Sequence, residues 1–76
     1  LDSMGWVLFR QGRLPEALEY LKRANDLGDD AEIDLHLGEV QWALGDRDAA
    51  RATWRQALEA FPNDVRLKER LERAQP

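Results

Sequence analysis

The chain has no cysteine, a single histidine and only two lysines among its 76 residues. Without cysteine it can form neither a disulfide nor a thiolate metal site. It also lacks any apolar run near the roughly 20 residues that a membrane-spanning helix needs, so we expect this segment neither to insert into a membrane nor to contain a signal peptide. The missing cysteine fits the cytoplasm and equally a periplasmic protein without disulfides.

Positive charge is scarce as well, since 11 Lys and Arg residues against 15 Asp and Glu residues give a net charge of −4. A nucleic-acid-binding protein normally has a basic excess, so nucleic acid is not an expected partner. The core of so short a chain is marginal unless something supplements it. Because the first residue is leucine rather than methionine, we expect the chain to be a piece of a longer protein.

Small residues recur at one fixed offset along the chain. Four pairs are each 33 residues apart: Gly5 and Gly38, Gly12 and Gly45, Ala17 and Ala50, and Ala24 and Ala57. A shared offset of this length indicates a stack of one repeated structural unit. Stacks of such units bind other molecules more often than they catalyse reactions.

Apolar residues follow each other at three- and four-residue spacing, and no stretch alternates as a strand would, so the sequence predicts an all-α fold. Gly12 and Gly45 mark helix ends, and Asp30 is a plausible N-cap. The fourth helix opens at Asp46 or Arg47. The five predicted helices are Asp2–Gln11, Pro15–Leu27, Ala31–Leu44, Asp48–Phe61 and Asp64–Ala74.

Three of these helices have a predicted inner face. In the second helix it is Ala17, Leu18, Leu21, Ala24 and Leu27, and in the fourth it is Ala50, Trp54, Ala57, Leu58 and Phe61. The fifth carries Val65, Leu67 and Leu71 inward and charged residues on its other side, as a terminal capping helix needs.

The spacing of these residues resembles the tetratricopeptide repeat, a helix–turn–helix unit of 34 residues. The second unit matches through Leu37, Gly38, Gly45, Ala50, Trp54, Ala57 and Pro62, and the first through Met4, Gly5, Leu8, Gly12, Ala17, Leu21 and Ala24. The resemblance implies a right-handed superhelix of antiparallel helix pairs, with about two repeats and a C-terminal capping helix. The corresponding boundaries are 1–30, 31–63 and 64–76.

The chain departs from the family pattern in the second unit. Asp34 and Gln41 stand where the family usually has large residues, so they either weaken the interior or face solvent. The glycines at 5 and 38 are expected where the two helices of a unit come closest, with Leu21 and Trp54 filling the space beside them.

The stretch from Asp2 to Gly12 is similar to the late repeats of long bacterial tetratricopeptide proteins. Some of these are outer-membrane lipoproteins that act as adaptors in the periplasm, including one type that serves a carboxy-terminal processing protease. This second resemblance implies a scaffold or adaptor at the bacterial outer membrane. The residues themselves leave periplasm and cytoplasm equally open.

In the tetratricopeptide family the first helix of each unit lines a groove that holds a partner peptide or helix. Carried over, the candidate groove residues are Trp6, Phe9, Arg10, His36, Glu39, Trp42, Arg70 and Arg73, with Glu32, Leu35, Arg66 and Glu69 beside them. The aromatic residues suit apolar anchors of a peptide and the arginines suit its acidic groups. Alternatively, the aromatic side chains only pack between helices.

No catalytic or metal-binding pattern competes with this interpretation. His36 is the only histidine and lacks partners at metal-ligand spacing, and the acidic residues around Asp30 lack the spacing of a calcium loop. The sequence therefore predicts no enzyme activity, no cofactor and no metal. Arg47, Arg51 and Arg55 are expected on a solvated convex surface.

The leading functional prediction is a protein–protein interaction module within a larger scaffold. The alternative is a self-association element, because Leu1, Met4 and Leu8 form an uncovered N-terminal edge that could pack against another copy. About three repeats are normally needed for stability. The chain is thus expected to form dimers or higher oligomers, or else to be marginally stable.

Overall fold

The computed structural model describes residues 2–28 and 30–74, with the side chains from residue 4 onward. Within those residues the fold is all-α, as predicted, and every helix boundary lies within one residue of its expected position. The five helices are α1 (Asp2–Arg10), α2 (Leu14–Leu27), α3 (Ala31–Ala43), α4 (Arg47–Ala60) and α5 (Val65–Arg73).

The turns that close α1 and α3 have the same geometry. Gly12 and Gly45 have φ angles of +77° and +90°, a left-handed conformation that glycine adopts without the steric cost of a Cβ. In each turn the amide after the glycine donates back into the helix, to the carbonyl oxygen of Leu8 (2.9 Å) or Gln41 (3.0 Å). The repeated glycine thus terminates the first helix of each unit.

Aspartate side chains cap three of the helices. Asp30, Asp46 and Asp64 accept hydrogen bonds from backbone amides in the first turns of α3, α4 and α5, at 2.8, 3.2 and 3.1 Å. These contacts confirm Asp30 as an N-cap and make Asp46 the N-cap of α4, which begins at Arg47. At the start of α2, Arg13 makes no such hydrogen bond.

Helix α3 is the centre of the fold, because it packs against each of the other four helices. It contributes Leu35 to one apolar cluster and Leu37 and Val40 to a second one on its other side. The first cluster comprises Leu35, Ala50, Trp54, Ala57, Leu67 and Ala74, and the second comprises Ala17, Leu21, Leu37 and Val40.

Two glycines lie where neighbouring helices approach most closely, as the repeat pattern predicts. A Cβ at Gly5 would lie 2.7 Å from Cδ2 of Leu21, and one at Gly38 would overlap the indole of Trp54. Because Gly38 has no side chain, the indole reaches the backbone of α3, where its Nε1 donates to the carbonyl oxygen of Leu35 at 3.3 Å.

Two predicted inner-face residues are exposed instead. Leu27 is 92% exposed and Val65 is 63% exposed. The prediction was wrong at both positions because each residue is the terminal residue of its helix, beyond the stretch that neighbouring helices cover.

The two polar departures from the repeat pattern are interior residues. Asp34 is buried, and Gln41 is half-buried and accepts a 2.6 Å hydrogen bond from the hydroxyl of Thr53. Of the two alternatives left by the sequence, interior placement is therefore correct.

The arginine row on α4 is only partly a solvated surface. Arg55 is exposed, and the guanidinium of Arg47 lies 4.7 Å from the ring centroid of Trp42. Arg51 is half-buried and donates to the carbonyl oxygen of Ala74 at 2.9 Å, so it ties α4 to the end of α5. For Arg51 the prediction of a solvated residue was wrong, since its long side chain spans the gap between two helices.

Candidate functional site

The helices expected to line the groove are neighbours in the structure. Helix α1 packs against α3, α3 packs against α5, and residues of all three helices line one cleft, so the three share one side of the molecule. We call this side the groove face. It brings together candidate residues from α1, α3 and α5 that are up to 67 residues apart in the sequence, from Trp6 to Arg73.

An aromatic stack joins α1 to α3 on the groove face. The rings of Trp6 and His36 lie 4.4 Å apart between centroids and are nearly parallel, at 21°. Phe9, one turn further along α1, stacks on Trp6 at 5.0 Å. All three side chains are half-buried, so each packs against a neighbour and still presents part of its surface to solvent.

Beside this stack the groove face contains a cleft of about 430 Å³. Five of the eight predicted groove residues line it, and Trp6 and His36 lie next to it through their contact with Phe9. Arg10 is exposed and does not line the cleft. The lining residues are Phe9, Glu39, Trp42, Ala43, Trp54, Arg70, Arg73 and Ala74.

The sequence predicts Trp54 only as an interior residue, but its ring also forms part of the cleft wall. Its centroid lies 6.1 Å from that of Trp42. A signal for this contact was present, because Trp42 follows Gly38 by four residues and therefore lies on the same side of α3. A ring that packs against Gly38 consequently reaches Trp42.

One residue predicted to line the groove does not lie on the groove face. Leu35 is buried with Ala50 and Leu67 rather than presented on the groove face. The prediction was wrong because α3 is covered by α4 and α5 on this side, which leaves no solvent-facing surface at that position.

Two carboxylates of α3 pair with arginines of α5. Arg70 pairs with Glu39 at 2.7 Å, and Arg66 pairs with Glu32 at 3.3 Å. Arg73 also lines the cleft, but its guanidinium makes no hydrogen bond or ion pair with the residues that the structure describes. Among the residues that the structure describes, the cleft therefore combines aromatic walls with one arginine that pairs with no carboxylate.

The predicted self-association edge lies partly within the described chain. Met4 is exposed on α1, whereas Leu8 is half-buried and packs against the cluster that contains Ala17 and Leu21. Leu1 lies outside the described residues.

Other kinds of site have no support in residues 2–28 and 30–74. In these ranges no three His, Cys, Asp or Glu side chains are arranged to hold a metal ion. Nor does any helix there combine the length and apolar character required to cross a membrane.

Comparison with known proteins agrees with the architecture. A profile of the family described as Tetratricopeptide repeat matches residues 8–74. The TPR repeat-containing protein PA4667 of Pseudomonas aeruginosa is 51% identical over 39 residues, which make up 51% of this chain and 7% of that protein. The match therefore covers only a small part of that relative's length.

Repeats of this kind generally mediate protein–protein interactions and form non-catalytic modules. Because the family profile matches residues 8–74 and the five helices have the expected arrangement, the chain belongs to the tetratricopeptide repeat family.

Proposed function

We propose that the groove face binds a partner peptide that places an apolar side chain in the cleft and an acidic group at Arg73. The observation that carries the proposal is the cleft itself. Phe9, Trp42 and Trp54 line about 430 Å³ beside the guanidinium of Arg73, which pairs with no carboxylate of the described residues. This volume lies within the roughly 300–1,000 Å³ that is usual for ligand sites.

The aromatic walls favour an apolar anchor. Burying a leucine or phenylalanine side chain contributes roughly 1.5–3 kcal/mol, so one well-seated anchor supplies a large part of the affinity of a short peptide. Trp6 and His36 extend the apolar surface along α1 and α3, which gives a second contact for the same peptide.

The charge pattern favours an acidic group next to the anchor. Arg70 already forms an ion pair with Glu39, whereas Arg73 has no partner among the described residues. A carboxylate placed there would form a charge-assisted hydrogen bond without displacing an existing ion pair. Because the whole chain carries a net charge of −4, this attraction is local and acts within about the 8 Å Debye length of physiological salt.

The test is selection of peptides from a random display library on the immobilised protein, followed by fluorescence anisotropy with the selected peptides. We expect Trp42→Ala to weaken binding tenfold or more, about 1.4 kcal/mol. Trp6→Ala should weaken it less, and Arg73→Ala should weaken only acidic peptides.

Arg55→Ala is the matched control, since Arg55 is an exposed arginine of α4 that does not line the cleft. Circular dichroism establishes that each variant is folded. Failure to select any peptide, or equal binding by the unmodified chain and a folded Trp42→Ala variant, would overturn the proposal.

A further inference from the structure

A second cavity lies between α2, α3 and α4. Its volume is about 130 Å³, and among the described residues it shares no lining residue with the cleft. Polar side chains from all three helices contribute to its wall. The lining residues are Asn25, Asp34, Leu37, Thr53, Gln56 and Ala57. We call this space the polar cavity.

Hydrogen-bond acceptors dominate the wall of the polar cavity. The Oδ1 atom of Asn25 is buried and receives no hydrogen bond from the described residues. The hydroxyl of Thr53 donates its one proton to Gln41 at 2.6 Å, so its oxygen can only accept a further bond. Asp34 is 5% exposed, and since a carboxylate has about four acceptor positions, it can take another donor beside the interactions it already makes. A molecule that fills the cavity must therefore bring donors.

The fold itself does not require polar residues at these positions. In the 33-residue register Asn25 corresponds to Leu58, and Gln41, the partner of Thr53, corresponds to Leu8. Both leucines pack against the apolar clusters of the molecule. A buried acceptor without a partner costs stability, whereas an apolar side chain at the same register position does not. The polar residues therefore point to a ligand rather than to packing.

We propose that the polar cavity binds a guanidinium group, either from an arginine side chain of a partner or from a small guanidino compound. A guanidinium carries five N–H donors in one plane and is more weakly hydrated than an ammonium. Its positive charge complements the buried carboxylate of Asp34.

The size of the polar cavity agrees with this ligand. A volume of 130 Å³ holds about four water molecules. The guanidinium group has the same number of heavy atoms, one carbon and three nitrogens. Among the described lining residues, no lysine or arginine already supplies a positive charge to the cavity.

The test is a titration of the ¹⁵N-labelled chain with methylguanidinium chloride at millimolar concentrations, followed through the backbone amide resonances. We expect the resonances of Asn25, Asp34 and Thr53 to shift and to saturate. Methylammonium chloride should bind more weakly, because it has fewer donors, and sodium chloride should cause only small, linear shifts.

A blocked tripeptide with a central arginine distinguishes the two sources of the guanidinium. A tripeptide that binds at least as tightly as methylguanidinium assigns the cavity to an arginine of a partner. A tripeptide that binds more weakly assigns it to a small guanidino compound. Both results support the guanidinium site.

Substitutions test the roles of the two buried acceptors. Asp34→Asn removes the charge with little change of shape and should weaken methylguanidinium binding roughly tenfold or more. Asp26→Asn is the matched control, because Asp26 is an exposed aspartate of α2 that does not line the cavity. Asn25→Leu introduces the residue type found at position 58, so it should abolish binding and raise the thermal midpoint by about 4–8 °C.

Linear shifts of the same size with methylguanidinium and sodium chloride would mean that only water fills the cavity, and the proposal would be overturned. Binding of methylammonium as tightly as methylguanidinium, or unchanged binding by a folded Asn25→Leu variant, would also overturn it. Equal losses in folded Asp34→Asn and Asp26→Asn variants would reduce the effect to surface charge. None of these results bears on the groove face, because the two sites share no described lining residue.

Discussion

The indole of Trp54 lies directly against Gly38, so the closest approach of α3 and α4 also forms part of the wall of the cleft. The ring is buried, and its Nε1 donates to the backbone of α3 at Leu35. It is tilted by 31° against the ring of Trp42, with the centroids 6.1 Å apart. Helix packing and the proposed binding surface therefore depend on the same side chain. A change at position 38 should affect both.

Gly38→Ala should destabilise the protein. In an ordinary helix interior, alanine in place of glycine would stabilise by about 1 kcal/mol. Here the added Cβ overlaps the indole of Trp54, and we expect a net loss of about 1–2 kcal/mol from overpacking. Urea denaturation measures the change.

Gly28→Ala is the control for this substitution. Gly28 has extended backbone, with φ at 162°, and a Cβ there would meet no atom within 4 Å. The free energy of unfolding of the Gly28→Ala variant should equal that of the unmodified protein or exceed it by up to about 1 kcal/mol. Similar losses in both variants would mean that the contact with Trp54 is not what makes Gly38 sensitive.

Asp30→Ala should cost about 1 kcal/mol of stability, because it removes the side chain that accepts a hydrogen bond from the amide of Glu32 at the start of α3. Arg13→Ala at the start of α2 is the comparison. Arg13 makes no capping hydrogen bond, and its ion pair with Glu16 is exposed, so the expected change is near zero. Thermal denaturation of the two variants should therefore separate them, and overlapping transitions would count against the cap.

Glu39→Gln should strengthen binding of acidic peptides several-fold. The substitution releases Arg70 from its 2.7 Å ion pair, so that two arginines of the cleft, Arg70 and Arg73, then lack a carboxylate partner among the described residues. Peptides without acidic groups should bind as before. Fluorescence anisotropy with a matched acidic and neutral pair measures the difference.

Glu32→Gln provides the control, because it removes the same charge and breaks the ion pair with Arg66, which does not line the cleft and still pairs with Asp64 at 3.8 Å. If Glu32→Gln improved the binding of acidic peptides as much as Glu39→Gln, the effect would reflect total charge rather than the position of Arg70.

The repeat spacing was enough to predict the helices and their closest contacts. Gly12 and Gly45 end helices through a backbone conformation that depends on local sequence, and the Gly38 and Trp54 pair follows from one register. The helix ends could be predicted because glycine is favoured at positive φ. The close contact could be predicted because a position where two helices nearly touch accepts only a small residue.

Side-chain contacts between distant helices could not be predicted in the same way. The ion pair of Arg70 with Glu39 and the bond from Arg51 to Ala74 depend on which rotamers long, flexible side chains adopt across helix gaps. Leu27 was misassigned for a different reason, because the register places it on the inner face but does not show where that face ends.

Chemical-shift mapping with a selected peptide tests the central claim, that the groove face is the binding surface. The three tryptophans give separate indole Nε1–H resonances in a ¹⁵N-labelled protein, two from the cleft and one from the adjoining stack. We expect the indole resonances of Trp42 and Trp54 to move most and that of Trp6 to move less. The backbone amide resonance of exposed Arg55 on α4 should stay in place. Shifts confined to α2 and α4, with unchanged Trp42 and Trp54 resonances under saturating peptide, would contradict the account.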